Sequence, residues 1–278
     1  MRIIVCLKLI ADPNIIEFDI LSEKLCNIYF VSDPINYYIL EEGLRLREKF
    51  GGELIAISVA PEAGDIILKN TLFFGANRAI RLWDDQLVGA DTWSVSQAIK
   101  QGIEKIGFDL ILCGSRSNDT GSEFMVSALA HWLNIPSATR IIGLNVDRDN
   151  KLIAHKKLLR GERETYCLQL PAILGLEEGI NEPRYAALFS KTYQEGLRKK
   201  VEFFKPSLNG QNINQLITTL RLIPSRPRVK VGLDISALSM QEKLKMMRGE
   251  LGHKKEIFEG SPEAAAKKIF AELSEAMK

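Results

Sequence analysis

The stretch DLILCGSRSNDTGSEFMVSALAHWL, residues 109–133, decides the fold class. It starts with an apolar run, DLILC, of the kind found in strands buried inside a parallel sheet. A run rich in glycine, serine, threonine, asparagine and aspartate follows, from Gly114 to Ser122. Beyond it, apolar residues recur at the spacing of a helix packed on a sheet: Val126, Leu129, Ala130 and Leu133. The stretch therefore predicts a strand, a loop and a helix in that order.

The flanking sequence continues this alternation. Further apolar runs typical of strands lie at residues 3–7, 53–59 and 78–83. Helix starts marked by proline or aspartate lie at Asp33-Pro34, Pro61 and about Asp91. Strands and helices that alternate at such short spacing predict an α/β fold, with a doubly wound, mostly parallel sheet. From residue 140 to 176, short runs between polar turns predict two or three additional antiparallel strands.

Composition excludes several classes of protein. The chain has 278 residues and a net charge of +2, without the basic excess expected of a nucleic-acid binder. No apolar run reaches the length of a membrane span, and the N-terminal run lacks the small-residue cleavage site of a signal peptide. The four cysteines are far apart and form no CxxC pair, which argues against a metal cluster or a disulfide framework. We therefore expect a cytoplasmic, reduced protein without membrane insertion.

The C-terminal part has a different texture. Residues 205–235 hold few periodic signals and several prolines, glycines and asparagines, which predicts an extended arm. A structureless stretch of this length is uncommon inside one compact domain, so we expect it to lie on another chain. The predicted organisation is a nucleotide-binding domain at 1–204 and a partner-contacting arm with helices at 205–278.

The loop from Gly114 to Ser122 is the candidate site. In a doubly wound sheet, ligands bind at the carboxyl ends of the strands, and a helix N-terminus there favours an anion. In the functional interpretation, Gly114 and Gly121 allow the backbone to approach a phosphate closely, and Asp119 caps the helix or contacts a ribose. In the same interpretation, Ser117, Thr120 and Ser122 donate hydrogen bonds from their hydroxyls to the phosphate. The alternative interpretation is a solvated turn, which is the common structure of an isolated run of this composition. The loop matches neither GxxxxGK[ST] nor GxGxxG, and the absence of an SGGxDS-type loop argues against an ATP pyrophosphatase.

Other strand ends converge on the same edge of a parallel sheet. These are Cys6-Leu7-Lys8, Asp33-Pro34 and Ser58-Val59-Ala60-Pro61. Catalytic patterns are sparse by comparison, because the three histidines fall in separate elements and no Ser/His/Asp or Cys/His spacing occurs. The residues thus predict nucleotide binding, no catalytic or metal-binding residue, and an arm for a partner.

Several stretches together resemble the beta subunit of the electron transfer flavoproteins (the FixA-like family). The resemblance covers nearly the whole chain, and it rests on the order and spacing of the pieces. They are IIVCLK (3–8), DPINYYILEEGLRLREKFGGELIAISV (33–59), FGANRAIRLWD (74–84), GADTWSVSQAI (89–99), DLILCGSRSNDTGS (109–122), LPAIL (170–174) and NEPRYAAL (181–188).

The resemblance implies a Rossmann-like fold, an adenine nucleotide in this chain and a heterodimer with an alpha subunit that carries FAD. It implies nucleotide contacts at Cys6, Asp33, Val59, Gly114, Ser117, Asp119, Thr120, Gly121 and Ser122. It also implies that Leu188 anchors a partner, an acyl-CoA dehydrogenase or another flavin dehydrogenase, and that the C-terminal arm embraces the alpha subunit. In simple family members the nucleotide is AMP, whereas in electron-bifurcating members it is a second FAD that takes a hydride from NADH.

This chain departs from the family pattern at three points. Asp33 stands where asparagine is common, and Ile10-Ala11 stand where Val-Pro is usual. The loop continues into Glu123-Phe124-Met125-Val126 instead of a Gln-Val-Gly-Pro-like run, which brings a negative charge near the phosphates. Against this, GADTWSVS (89–96) resembles the GADTxATS stretch of bifurcating members, and on balance we expect FAD in preference to AMP.

Two other function classes remain open at this level. A nucleotide sensor of the universal-stress type predicts ATP binding, no redox role and no alpha partner, whereas a hydrolase or ligase predicts the use of ATP. The long arm after residue 204 argues against the sensor, and the absence of a Lys-bearing or SGG-type loop argues against the ATP-using enzyme.

Overall fold

The computed structural model describes residues 1–19, 21–26, 28–146, 151–187 and 190–207, with isolated positions at 239–241, 244, 266–267 and 270. By its internal contacts the chain divides into two units, Met1–Pro224 and Ser225–Lys278. The predicted C-terminal arm lies almost wholly outside the described residues, so the predicted domain boundary at 204/205 stays a prediction. No helix in the described ranges has the length and apolar character needed to cross a bilayer.

The secondary structure of the described ranges comprises thirteen strands and five α-helices. The strands are β1 (Arg2–Cys6), β2 (Leu9–Ala11), β3 (Glu17–Asp19), β4 (Lys24–Cys26), β5 (Phe30–Ser32), β6 (Glu53–Val59), β7 (Arg78–Leu82), β8 (Leu110–Gly114), β9 (Ser137–Val146), β10 (Lys151–Lys157), β11 (Arg163–Gln169), β12 (Ala172–Leu176) and β13 (Glu202–Phe204). The helices are α1 (Ile35–Phe50), α2 (Asp65–Phe74), α3 (Thr92–Ile106), α4 (Met125–Leu133) and α5 (Lys191–Arg198).

Nine of these strands form one sheet, in the order β11-β10-β9-β12-β8-β1-β6-β7-β13. Neighbours from β9 through to β13 run parallel, while β10 and β11 continue the sheet beyond β9 in antiparallel pairing. This confirms the predicted mostly parallel α/β sheet with antiparallel additions.

The side chains of β1 show how both faces are covered. Ile3 and Val5 pack in the cluster that contains residues of α1 and α2. Ile4 and Cys6 point to the opposite face, into the cluster that contains residues of α3 and α4. Because side chains alternate along a strand, an unbroken apolar run is required where both faces are buried. The helices therefore lie on both faces, as predicted for a doubly wound fold.

The strand order reverses beside β1. The chain leaves β1 toward β6 and β7 on one side, and then continues in β8 on the other side. In open α/β sheets, the crevice at such a reversal, outside the carboxyl ends of the strands, is the usual ligand site. This places the crevice between the ends of β1 and β8, next to the loop that follows Gly114.

The region 140–176 is only partly as predicted. β9, β10 and β11 form the expected antiparallel set. Residues 172–176, however, form β12, which inserts between β8 and β9 parallel to both. All residues of β12 are buried, which explains the difference, because a short apolar run fits an interior parallel strand as well as an antiparallel one.

Two further differences concern local boundaries. Residues 181–204, for which no strand or helix was predicted from the sequence, contain α5 and β13, and β13 pairs in parallel with β7. Helix α1 begins at Ile35, with Pro34 at the N-cap position in a helical conformation, one residue later than predicted. Asp33 precedes the cap, and its Oδ1 accepts a hydrogen bond from the Ile35 N–H at 3.3 Å.

Candidate functional site

The loop from Gly114 to Ser122 folds back on itself at the end of β8. The Ser117 N–H donates to the Ser122 carbonyl at 3.2 Å, and the Gly121 N–H donates to the Ser117 carbonyl at 3.0 Å. Gly121 has a φ of +66°, a conformation that glycine adopts without strain. The hydroxyls of Ser117 and Thr120 lie 2.9 Å apart, so this turn brings the predicted hydroxyl donors together.

Asp33 holds the loop from the side of α1. Its side chain is completely buried, and its two carboxylate oxygens accept from Asn118: Oδ2 from the backbone N–H at 3.1 Å and Oδ1 from Nδ2 at 2.8 Å. The Asn118 Nδ2 also lies 3.4 Å from the Glu178 carboxylate, beyond the end of β12. Asp33 thus positions the loop through Asn118, a residue that was not among the predicted contacts.

Lys8 joins the loop to the end of β1. Its Nζ donates to Asp119 Oδ1 at 2.6 Å. Although burial opposes the shift, this hydrogen bond holds the pKa of the Asp119 carboxyl below its ordinary value. The Lys8 backbone is fixed in turn by Asn36, which accepts from the Lys8 N–H at 3.1 Å and donates to its carbonyl at 2.7 Å.

A third attachment comes from β9. Ser115, at the base of the loop, accepts a hydrogen bond from the Arg140 N–H at 2.8 Å. The Arg140 Nη2 donates to both oxygens of Glu123, at 3.0 and 3.2 Å. Glu123 therefore does not present an uncompensated charge beside the loop, contrary to what its place in the sequence suggests.

The glycine and cysteine at the ends of the central strands have packing partners. A Cβ on Gly114 would lie 3.0 Å from Ile35 Cγ2, so this glycine lets α1 approach the strand end. Cys6 and Cys113 lie side by side on β1 and β8, and both are buried. The Cys6 thiol and burial raise the pKa of the Cys113 thiol well above its ordinary value, which keeps it protonated at neutral pH.

The donor set at this edge suits the phosphate of a nucleotide. Hydroxyls of the loop and the first amides of α4 lie there, together with the cations Lys8 and Arg140, which are paired with Asp119 and Glu123. Hydroxyls, helix-terminal amides and cations are the groups that bind an anion. Two buried hydroxyl oxygens, those of Ser58 near the end of β6 and Ser94 in the first turn of α3, have no hydrogen-bond partner among the described residues. Buried polar atoms normally have a hydrogen-bond partner, and the described protein atoms supply none for these two hydroxyls.

The remaining predicted site residues are Val59, Ser122 and Leu188. Val59 ends β6 next to the crevice, and the Ser122 hydroxyl lies 3.5 Å from that of Thr92 in the first turn of α3. Leu188, the predicted docking residue, lies outside the described residues. In the described ranges, no three residues of the His, Cys, Asp and Glu types group as a set of metal ligands.

Sequence reasoning identified the loop but missed three of its supports: Asn118, Ser115 and Arg140. Asn118 and Ser115 lie inside the quoted loop, and asparagine next to an Asp-Thr-Gly turn is a signal of loop stabilisation by side chains. Arg140 carried no such signal, because its place at this edge depends on the strand order, in which β9 lies one strand away from β8.

A second polar cluster fixes the segment that precedes Leu188. Arg184 holds two glutamates of α1: Nε donates to Glu41 Oε2 at 2.7 Å and Nη1 to Glu48 Oε1 at 2.6 Å. Asn181 donates to Glu42 Oε2 at 2.9 Å. Tyr185, which follows Arg184, is 96% exposed. The segment is thus anchored on α1 and presents an aromatic ring to solvent.

Comparison with known proteins finds relatives of one kind. A family model described as the electron transfer flavoprotein domain matches residues 31–208. An electron transfer flavoprotein subunit beta from Thermoanaerobacterium thermosaccharolyticum is 30% identical over 190 residues, which cover 68% of this chain and 72% of that protein. The caffeyl-CoA reductase-Etf complex subunit CarD of Acetobacterium woodii is 30% identical over 192 residues, 68% of this chain and 72% of that protein. Protein FixA of Azotobacter vinelandii is 28% identical over 195 residues, with coverages of 68% and 69%.

Proposed function

The chain belongs to the electron transfer flavoprotein beta-subunit (FixA-like) family, and from this premise we propose that it is the nucleotide-binding subunit of a heterodimeric electron carrier. Its partner in this proposal is an alpha subunit that carries FAD, and the pair passes electrons from a dehydrogenase or NADH to an acceptor. The main structural support for this proposal is the loop from Gly114 to Ser122. It lies where the strand order of the sheet reverses, and Asp33 and Lys8 hold it there.

The protein's own residues bind and orient in this proposal, and they do not perform acid–base chemistry. Redox chemistry is supplied by flavin when it is bound, and the protein contributes placement and electrostatics. The hydroxyls of Ser117 and Thr120 and the first amides of α4 hold a phosphate. Asp33, through Asn118, keeps the loop in position, and the buried thiol of Cys113 stays protonated and inert.

For the nucleotide of this chain we propose FAD, with AMP as the alternative. The likeness of GADTWSVS (89–96) to the stretch found in bifurcating members supports FAD. Among the relatives, one is named as a subunit of a caffeyl-CoA reductase-Etf complex, which supports a role beside a flavin dehydrogenase. Electron bifurcation with NADH, docking of an acyl-CoA or other dehydrogenase at Leu188, and a cytoplasmic location are parts of the same proposal.

Ligand content of the purified heterodimer tests the proposal. The chain is co-expressed with its alpha subunit, the complex is denatured, and released FAD and AMP are quantified per heterodimer. Two FAD and no AMP support a redox flavin in this chain, whereas one of each supports a structural and docking role in a simple electron carrier. A colourless complex that releases neither nucleotide refutes the electron-carrier assignment, and binding of ATP alone would favour the sensor class.

A further inference from the structure

A carboxylate stands at the entry of the phosphate-binding helix. Glu123 directly follows the loop, two residues before the first residue of α4. An acidic side chain next to a helix N-terminus stabilises the helix, but it repels a bound phosphate. A nucleotide with two phosphates brings more negative charge to this place than one with a single phosphate. The group that neutralises the charge of Glu123 therefore affects whether the site binds a nucleotide with one phosphate or with two.

Arg140 supplies that compensation from a distorted point in β9. The pairing of β9 with β12 shifts register between Leu174 and Leu176, and its pairing with β10 shifts between His155 and Lys156. Arg140 has a φ of +60° at this irregularity. Bulges of this kind re-aim a side chain at the edge of a sheet. Here the side chain reaches Glu123, while the Arg140 N–H is tied to the base of the loop through Ser115.

The guanidinium of Arg140 is only partly engaged. Its Nη2 holds the Glu123 carboxylate, but Nε and Nη1 have no hydrogen-bond partner within the described part of the chain. The side chain is 42% exposed, so these N–H groups are accessible. By contrast, Lys8 is committed to Asp119 at 2.6 Å. Arg140 can thus neutralise Glu123 and still offer N–H groups to an anion.

We propose that Arg140 determines the specificity of this site for a diphosphate nucleotide, by contacting the second phosphate while it neutralises Glu123. The inference rests on the proposed nucleotide site and names the phosphate class that the site takes. The loop hydroxyls and the amides of α4 serve a first phosphate. Arginine suits the second because its planar fork forms charge-assisted hydrogen bonds to phosphate oxygens.

The test compares ADP with AMP, which differ by one phosphate. The alpha–beta heterodimer is stripped of nucleotide and titrated with each by calorimetry. We expect Arg140→Gln to weaken ADP binding by about ten- to a hundredfold, the size of one charge-assisted hydrogen bond. AMP binding should weaken by a clearly smaller factor, because AMP loses only the neutralisation of Glu123 and no contact of its own with Arg140. Arg160→Gln is the control, because Arg160 is an arginine with the same φ of +60° that lies exposed in the turn between β10 and β11.

A double variant separates contact from simple compensation. If Arg140 only neutralises Glu123, Glu123→Gln and Glu123→Gln/Arg140→Gln will bind ADP equally, and the inference is overturned. If Arg140 contacts the second phosphate, the double variant will bind ADP about tenfold or more weakly than Glu123→Gln, with AMP little affected. Wild-type protein that binds neither nucleotide would overturn the proposed function and the inference together, whereas wild-type binding with equal ADP and AMP losses in Arg140→Gln would overturn the inference alone. Thermal unfolding of every variant checks that the fold is retained.

Discussion

The carboxylate of Asp33 is completely buried, and its partners are N–H groups of the loop and of α1. Each oxygen accepts one bond from Asn118, the backbone N–H at 3.1 Å and Nδ2 at 2.8 Å. A buried acceptor that serves several donors is costly to replace, because a donor left without a partner keeps its desolvation penalty. At the scale of single residues, Asp33 thus links the start of α1 to the geometry of the loop.

Asp33→Asn tests this role. Asparagine has one acceptor oxygen, so its amide group would face a donor of Asn118. We expect the free energy of unfolding to fall by about 1–3 kcal/mol, measured by urea denaturation. Hydrogen exchange in residues 114–122 should rise in the same variant. Asp12→Asn is the control, because Asp12 also accepts two bonds, from Asn14, but at the surface, and it should cost less than about 0.5 kcal/mol. Equal losses in the two variants would contradict the role.

Ser122→Glu tests the loop as a phosphate site. A carboxylate at the last residue of the loop repels a nucleotide phosphate, while the partly exposed position tolerates the larger side chain. We expect the nucleotide released per heterodimer to fall at least tenfold, with the urea midpoint almost unchanged. The control is Ser137→Glu, which adds the same charge at an exposed serine at the start of β9, near the amino ends of the parallel strands. Retention of nucleotide in Ser122→Glu, or equal loss in both variants, would refute the assignment.

At the scale of elements, α1 serves two purposes. One face packs on the sheet, and the other carries Glu41 and Glu48 to Arg184. Although burial opposes the shift, hydrogen bonds from Arg184 and Arg45 lower the pKa of Glu41. The hydrogen bond from Arg184 also lowers the pKa of Glu48. Carboxyls with lowered pKa values stabilise the fold above their ordinary value of 4.5, and this contribution is lost as the pH falls through the lowered values.

Arg184→Met should therefore destabilise the protein at pH 7 and flatten the acid limb of its stability profile. We expect a loss of about 1–2 kcal/mol at pH 7, moderated because Arg184 and Glu48 are each more than a third exposed. Between about pH 5 and 3 the urea midpoint should fall less steeply than in the wild type. Glu42, whose pKa burial raises, contributes with the opposite sign in both proteins. Lys100→Met, which breaks the surface pair with Glu104, should leave the profile unchanged.

The elements also show what the sequence could and could not predict. The alternation of β1, β6, β7 and β8 with the helices α1 to α4 was predicted correctly, because apolar periodicity and cap residues are local signals. The position of β12 was not predicted, because the apolar run AILGL is equally compatible with an interior parallel strand and with an antiparallel strand. The same ambiguity hid Arg140, whose place at the site depends on strand order. Helix α5 was missed because it has only eight, mostly polar residues, so its apolar face rests on very few side chains, although Gly196 packs closely on the Leu72 carbonyl.

At the scale of the whole molecule, the candidate site gathers residues that are distant along the chain. Lys8, Asp33, the loop at 114–122 and Arg140 meet only when β1, β8, β12 and β9 lie side by side. The unfolded chain has no such site. A nucleotide that binds the folded state alone must therefore stabilise the entire sheet.

This linkage yields a prediction for thermal unfolding of the nucleotide-stripped heterodimer. ADP at about one hundred times its Kd should add about 2.7 kcal/mol to the free energy of unfolding. For a chain of 278 residues, an increase of that order corresponds to a rise in Tm of about 4–5 °C if the chain unfolds by itself, and to a smaller rise if both subunits unfold together. Inorganic phosphate at the same ionic strength should raise Tm far less, because it lacks the adenosine that the strand ends would hold. The Ser122→Glu variant should show no rise with ADP, since it keeps the fold and loses the ligand. A rise of equal size in that variant would mean that ADP binds elsewhere on the heterodimer.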